Sequence, residues 1–313
     1  MPLTKVSYSM INGDIVNAVD FGLVGNGTTD DKAAIQAAID AAAGRPIIVP
    51  SGTYKLTTGL VYDTAGDGVV AGLKIIGFGR SLTIFDNQTG GDAILVTSGN
   101  DVLDWQENVL LSQFSITNTL ATAGTRGIKF IGIRGGVIDN VNISDQASHG
   151  IWLYSDTTDA SNIHIDITQC DITGCGATGV YCEGVTAGVN AVVNIRQCRI
   201  ISNSTGIAWE SMQNGTVENC AIAQNTNEGL VIDSDTAYSK NCIVRNNEFD
   251  SNGGLQGTVH IHGTLQSTNF KAPLQTVTNS NDPGIQGTVL YDGDYMYFCI
   301  ATDTWKRASL GTW

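Results

Sequence analysis

No run of the about 18 apolar residues needed to span a membrane as a helix occurs in this 313-residue chain, so no such helix is expected. The opening "MPLTKVSYSM" has neither an apolar core nor a small-residue cleavage site, so no signal peptide is read there and synthesis in a cytoplasm is expected. Positive charge is also scarce: 16 Lys and Arg stand against 30 Asp and Glu, a net charge of −14 that would repel nucleic acid and anionic membrane alike. No CxxC or Cys/His spacing suggests zinc, and neither a metal nor an organic cofactor is expected. Seven cysteines are present, which leaves two readings, a disulfide set or reduced core thiols. Beyond the first fifth of the chain no apolar stripe of helical period survives, which argues against a helical solenoid.

What remains is a repeat. Gly127, Gly150, Gly179, Gly206, Gly229 and Gly257 are separated by 23, 29, 27, 23 and 28 residues, the period of a solenoid. The segments "GIWLY", "GVYCE", "GIAWE" and "GLVID" are short and rich in β-branched and aromatic residues, as strands are. Alternation points Ile151, Val180, Ile207 and Leu230 inward, together with Leu153, Cys182, Trp209 and Ile232. A second strand precedes each glycine, with Cys170, Cys198 and Cys220 stacked inward, a position that favours thiols acting as small hydrophobes. Two or more strands per coil, each paired with its equivalent in the next, make an all-β, right-handed, single-stranded parallel β-helix. The 37 glycines suit its many turns.

The outward positions carry the chemistry. Trp152, Tyr181, Ala208 and Val231 form one outer column, and Tyr154, Glu183, Glu210 and Asp233 form the next. Coils lie about 4.8 Å apart, so neighbouring acids fit the separation for a retaining glycosidase and next-but-one acids that for an inverting one. Crowded carboxylates raise one another's pKa, which keeps a general acid protonated. The catalytic candidates are therefore Glu183, Glu210 and Asp233, with Trp152, Tyr154 and Tyr181 as sugar-binding aromatics. Asp156, Asp235 and Glu228 are near enough to substitute. A solvated acidic face, a calcium site or a contact between copies are the competing readings of the same column. Lys129, above Trp152, would be the base of a polysaccharide lyase, a weaker alternative because Arg196 and Arg199 fall on another strand. His260 and His262 read as a polar end to the core rather than a metal pair.

Ahead of the coils, "VDFGLVGNGTTDDKAAIQAAIDAAAGRPIIVPSGTYKL" contains one amphipathic helix with Ile35, Ala38, Ile39 and Ala42 on its apolar face. Thr28 and Asp31 are spaced as a capping box and Gly44 is the stop. A lone helix before a solenoid plugs its first coil. The order Asp20-Phe21-Gly22, Gly25, Gly27, Thr29-Asp30-Asp31, Ala33 to Ala43, Ile47 to Pro50, Gly52 and Tyr54 resembles the start of the pectate-lyase-like β-helix family of phage tailspikes and related polysaccharide-degrading proteins. The ending, from Gly287, is similar to a small C-terminal module of phage tail proteins.

The resemblance implies a tailspike-like virion protein that recognises a bacterial cell-surface polysaccharide and depolymerises it, or a non-catalytic receptor-binding or structural protein of the same fold. It implies a homotrimer joined to phage tail or capsid proteins through its N-terminus. Three parts are expected: a lead-in over 1–20, the β-helix with its cap helix over 21–268, and a C-terminal β module over 269–313 that either mediates trimerisation or merely covers the last coil.

Overall fold

The computed structural model describes residues 15–63, 72–98, 108–155, 161–184, 190–233, 241–253, 259–262, 277–284, 286 and 289–310. Three parallel sheets of ten, nine and eight strands run along the coils, and a separate three-stranded antiparallel sheet lies near the C-terminus. One coil shows the plan: Arg134–Asp139 joins the first sheet, Asn142–Ser144 the second and Ile151–Ser155 the third. The next coil repeats it with Ile163–Thr168, Asp171–Thr173 and Thr178–Gly184. Three strands per coil account for the 23-to-29-residue period: the first-sheet strands are the ones the glycine marks do not reveal.

The glycine column is a contact between coils. A Cβ on Gly127 would lie 2.4 Å from the carbonyl oxygen of Gly150, and one on Gly150, Gly179 or Gly206 would meet the next glycine's oxygen at 2.7, 2.7 or 2.4 Å. No side chain fits there, so the repeat glycine is the mark of the close approach. The positions expected to point inward are buried, among them Ile151, Leu153, Val180, Cys182, Ile207, Trp209 and Leu230. Cys170, Cys198 and Cys220 stack in the same core, and all seven cysteines are free thiols.

Two corners use other devices. Between the first and second sheets the chain turns on one left-handed residue per coil: Gln113, Asn140, Gln169, Gln197, Asn219 and Asn246, with φ from 52° to 65°. Between the second and third, buried Asn203 and Asn225 form a ladder. Asn225 Oδ1 accepts from the Asn203 backbone N–H at 3.0 Å, while its Nδ2 donates to the Ile200 carbonyl at 3.3 Å and to Asn252 Oδ1 at 2.7 Å. Buried peptide groups at a turn need such partners.

The helix α1, Lys32–Ala42, buries Ile35, Ala38, Ile39 and Ala42 in the same core. Its Gln36 amide pairs with both the N–H and the carbonyl of Val61, at 3.0 and 2.7 Å, satisfying part of the terminal strand of the third sheet. The capping box does not form. Asp31 is the N-cap, yet its carboxylate accepts from the N–H groups of Val24 and Gly25 at 2.7 and 3.0 Å, so it is spent on the glycine turn. The helix ends on Ala43 at φ 48°, one residue before Gly44. Gly25 has φ 67° and a Cβ there would lie 2.6 Å from the Tyr54 ring, while Tyr54 Oη donates to the Pro50 carbonyl at 2.8 Å. The motif residues Gly25, Asp31, Pro50 and Tyr54 thus lock one another.

The chain divides into two units, 1–263 and 264–313. Val16–Asn17 already pairs with Ile47–Ile48 and Ala18 is buried, so the solenoid unit begins before residue 21. In the second unit, Val289–Tyr291, Tyr295–Ala301 and Thr304–Ser309 form the antiparallel sheet around Val277, Leu290, Tyr297, Cys299 and Trp305. Tyr297 and Trp305 are therefore its own core, while Phe298 and Ile300 on the alternate face are exposed.

Candidate functional site

The outer face of the third sheet gathers the sequence candidates. Lys129, Trp152 and Tyr181 are register neighbours on three successive strands, as are Ile131, Tyr154 and Glu183 in the adjoining column. Glu210 follows Trp209, the partner of Cys182, and its backbone N–H bonds the Cys182 carbonyl at 3.0 Å, which places it one coil beyond Glu183. Asp233 ends the next strand in the same column, and its side chain lies outside the described residues. So do the side chains of His260 and His262 and the whole of Asp156 and Asp235.

The contacts are specific. Trp152 Nε1–H donates to Glu183 Oε2 at 2.9 Å. Burial raises the Glu183 pKa; the Trp152 hydrogen bond opposes this, the Glu210 charge adds to it and Lys129 opposes it. Tyr181 is hydrogen-bonded to Glu210, and burial followed by that bond pushes its hydroxyl well above the ordinary phenol range. Each of two neighbouring acids therefore has an aromatic donor of its own. Lys129 Nζ sits 3.7 Å from the centre of the Trp152 ring and 4.4 Å from that of Tyr154.

The aromatic faces are not open platforms. Trp152 and Tyr181 are nearly parallel, 20° apart with centres at 6.4 Å, Lys129 covers Trp152, and Tyr154 meets Trp152 edge-on at 71°. The rings take up one another's faces, and the polar tips of Trp152 and Tyr181 are held by Glu183 and Glu210.

Three further residues belong to this face. His149 stacks on Tyr181 at 4.7 Å and 24°, and its Nδ1 accepts the Thr178 N–H at 3.3 Å, which leaves Nε2 to carry the proton of the neutral ring. Burial, then the Arg126 charge, push its pKa down to about 4, with Asp92 opposing and Lys129 adding a smaller downward push. Arg126 is paired with Asp92 at 2.5 Å and lies 5.3 Å from the Trp152 ring. Arg126 and His149 are legible as the position just before a repeat glycine, and Asp92 is the register partner of Arg126 one coil earlier.

Glu183, Glu210 and the three aromatics are half-buried on the outer face of the third sheet. Two hollows lie elsewhere: one of about 520 Å³ at the corner of the first two sheets, and one of about 330 Å³ within the second unit. Among the described residues no group of three His, Cys, Asp or Glu side chains is arranged to hold a metal ion, and no helix is long and apolar enough to cross a membrane.

Three stacked parallel sheets wound coil upon coil define a parallel β-helix protein. The chain belongs to the rhamnogalacturonase A/epimerase, pectate lyase-like family, whose profile matches residues 15–254. It is 28% identical over 273 residues to the pre-neck appendage protein of Bacillus phage B103, a match covering 80% of this chain and 27% of that protein. The chain thus spans about a quarter of that relative's length. Among solved structures it is similar to the Agl-KA catalytic domain, with a TM-score of 0.59 and 19% identity over 79% of this chain and 45% of the other. The Dettilon tailspike protein gives a TM-score of 0.55 and 14% identity over 83% of this chain and 49% of the other. At these identities the structural likeness speaks to fold.

Proposed function

We infer that this chain is the β-helical part of a phage tail appendage that binds a bacterial cell-surface polysaccharide and hydrolyses it at the Glu183, Glu210 and Asp233 column. The similarity to a phage pre-neck appendage protein supports the virion setting. The pairing of two adjacent acids with separate donors, Trp152 to Glu183 and Tyr181 to Glu210, carries the catalytic reading. Glu183, whose ionisation is disfavoured, donates its proton to the glycosidic oxygen as the bond to the anomeric carbon breaks. Glu210, one strand spacing of about 4.8 Å away, attacks that carbon as nucleophile. Water, deprotonated by Glu183, then releases the sugar from Glu210 and restores both groups. Trp152, Tyr154 and Tyr181 contact the sugar beside the acids. Residues 1–20 join the appendage to the particle, α1 caps the first coil, and the module over 269–313 holds a homotrimer.

A second reading is favoured by the half-burial of these side chains on the outer face: the same column binds the glycan as a receptor-binding or structural virion protein and cleaves nothing. Incubating the purified protein with polysaccharide extracted from host cells decides between them. Oligosaccharide release that is lost in Glu210→Gln supports hydrolysis at this column, and tight binding without release supports the second reading.

A further inference from the structure

The hollow of about 520 Å³ lies along the corner between the first and second sheets, on a different edge of the coil from the acid column. One wall is formed by Gln169, Gln197 and Asn219, the left-handed corner residues of three successive coils, with φ of 53°, 54° and 54°. All three are exposed, and their side-chain amides make no hydrogen bond among the described residues. Facing them are Asp171 and Arg199, register partners on adjacent strands, paired at 2.5 Å. The second carboxylate oxygen of Asp171 is buried and has no hydrogen-bond partner among the described residues. Arg80 closes one end: its Nη1 reaches the Gln169 carbonyl at 3.5 Å and its own carbonyl accepts from the Ser115 hydroxyl. It forms no ion pair among the described residues.

An L-residue in the left-handed region costs about 1–2 kcal/mol, and Asn or Gly bears that better than Gln. Gln113 of the same column accepts from Asn140 Nδ2 at 2.8 Å, whereas Gln169 and Gln197, on two consecutive coils, make no such bond among the described residues and reach further into the hollow than Asn would. The lining charges, two Arg against one Asp, sum to +1 in a chain of −14.

Amides spaced about 4.8 Å apart, each with two donors and an acceptor, match a row of hydroxyls repeating at the length of a sugar ring. Nucleic acid would be repelled by the chain's charge, and a peptide strand needs an open sheet edge, which this corner does not offer. We propose that this corner is a second glycan-binding groove, which holds a polysaccharide strand parallel to the coil axis through its hydroxyls and receives an acidic substituent at Arg80. The groove shares with the proposed function only the premise that the chain engages a surface glycan.

The test uses the full chain and neutral and acidic polysaccharide fractions extracted from bacterial cell surfaces. Gln169→Gly with Gln197→Gly removes both amides while easing the left-handed backbone, so misfolding is not a cause of any loss. Two lost hydrogen bonds weaken binding roughly tenfold, with the rate of release at saturating polysaccharide unchanged, and Arg80→Ala weakens the acidic fraction selectively. Wild-type affinity in the double variant overturns the groove while leaving the acid column standing, provided Glu183→Gln with Glu210→Gln still alters binding or release. A change in sedimentation without a change in glycan affinity also overturns it, assigning the hollow to a contact between copies. If the wild type binds neither fraction, the groove and the proposed function fall together.

Discussion

Glu183 and His149 titrate in opposite senses on one small surface. The Glu183 pKa is raised from 4.5, so its stabilising contribution is complete below the unfolded value and is lost as pH rises through the folded one. Glu183→Gln fixes the uncharged form and keeps an acceptor for Trp152. Its Tm at about pH 8 should equal or exceed that of the wild type, while release falls by about 10²- to 10⁴-fold as a general acid is lost. A lower Tm with unchanged release would make this carboxylate structural. His149 is lowered from 6.5 to about 4, so its contribution is full above 6.5 and is lost as pH falls towards 4. Thermal melts at about pH 7 and pH 4.5 should therefore show a smaller acid-side loss in His149→Gln than in the wild type. At this scale the outward column of acids was readable because period-2 alternation fixes which way a strand residue points. The donor to each acid was not, since Trp152 meets Glu183 along a diagonal and the ring stacking depends on rotamers rather than on register.

The corners are where elements are fixed. Asn225 is buried and makes hydrogen bonds through both its amide oxygen and its nitrogen. Asn225→Ala removes the partner of the Asn203 N–H and of the Ile200 carbonyl and should cost about 2–4 kcal/mol in urea unfolding. Gln197→Gly, at φ 54°, should instead stabilise by about 1 kcal/mol. Equal midpoints for the two variants would show that the corners are not stressed as described. Burial pushes Cys175 up to about 12, and Cys198 and Cys220 are also raised. Native protein should accordingly react slowly with a thiol reagent, and all seven cysteines should titrate once it is unfolded. Strands and helix were legible from alternation and from the apolar stripe. The capping box was misleading because Asp31 is drawn away by Val24 and Gly25, and the Gln corner was invisible because coil stacking overrides the poor left-handed preference of Gln.

For the whole molecule, the glycine period carried the architecture, since a close approach repeated at every coil has to show in the sequence. The aromatics near the C-terminus were ambiguous: Tyr297 and Trp305 serve their own small core, and exposed Phe298 and Ile300 are left for any contact between copies. If that module holds a trimer, sedimentation should give three times the mass of 33.0 kDa, and Phe298→Ser with Ile300→Ser should reduce it to one chain while leaving the β-sheet circular dichroism of the solenoid intact. The central claim is that the Glu183 and Glu210 pair cleaves a bound surface polysaccharide. Its most direct measurement is the appearance of new reducing ends from host polysaccharide with wild type, Glu183→Gln and Glu210→Gln at matched bound fraction. The account predicts release by the wild type and at least about a 100-fold loss in each variant. Full release by both variants, or none by a wild type that binds, would contradict it.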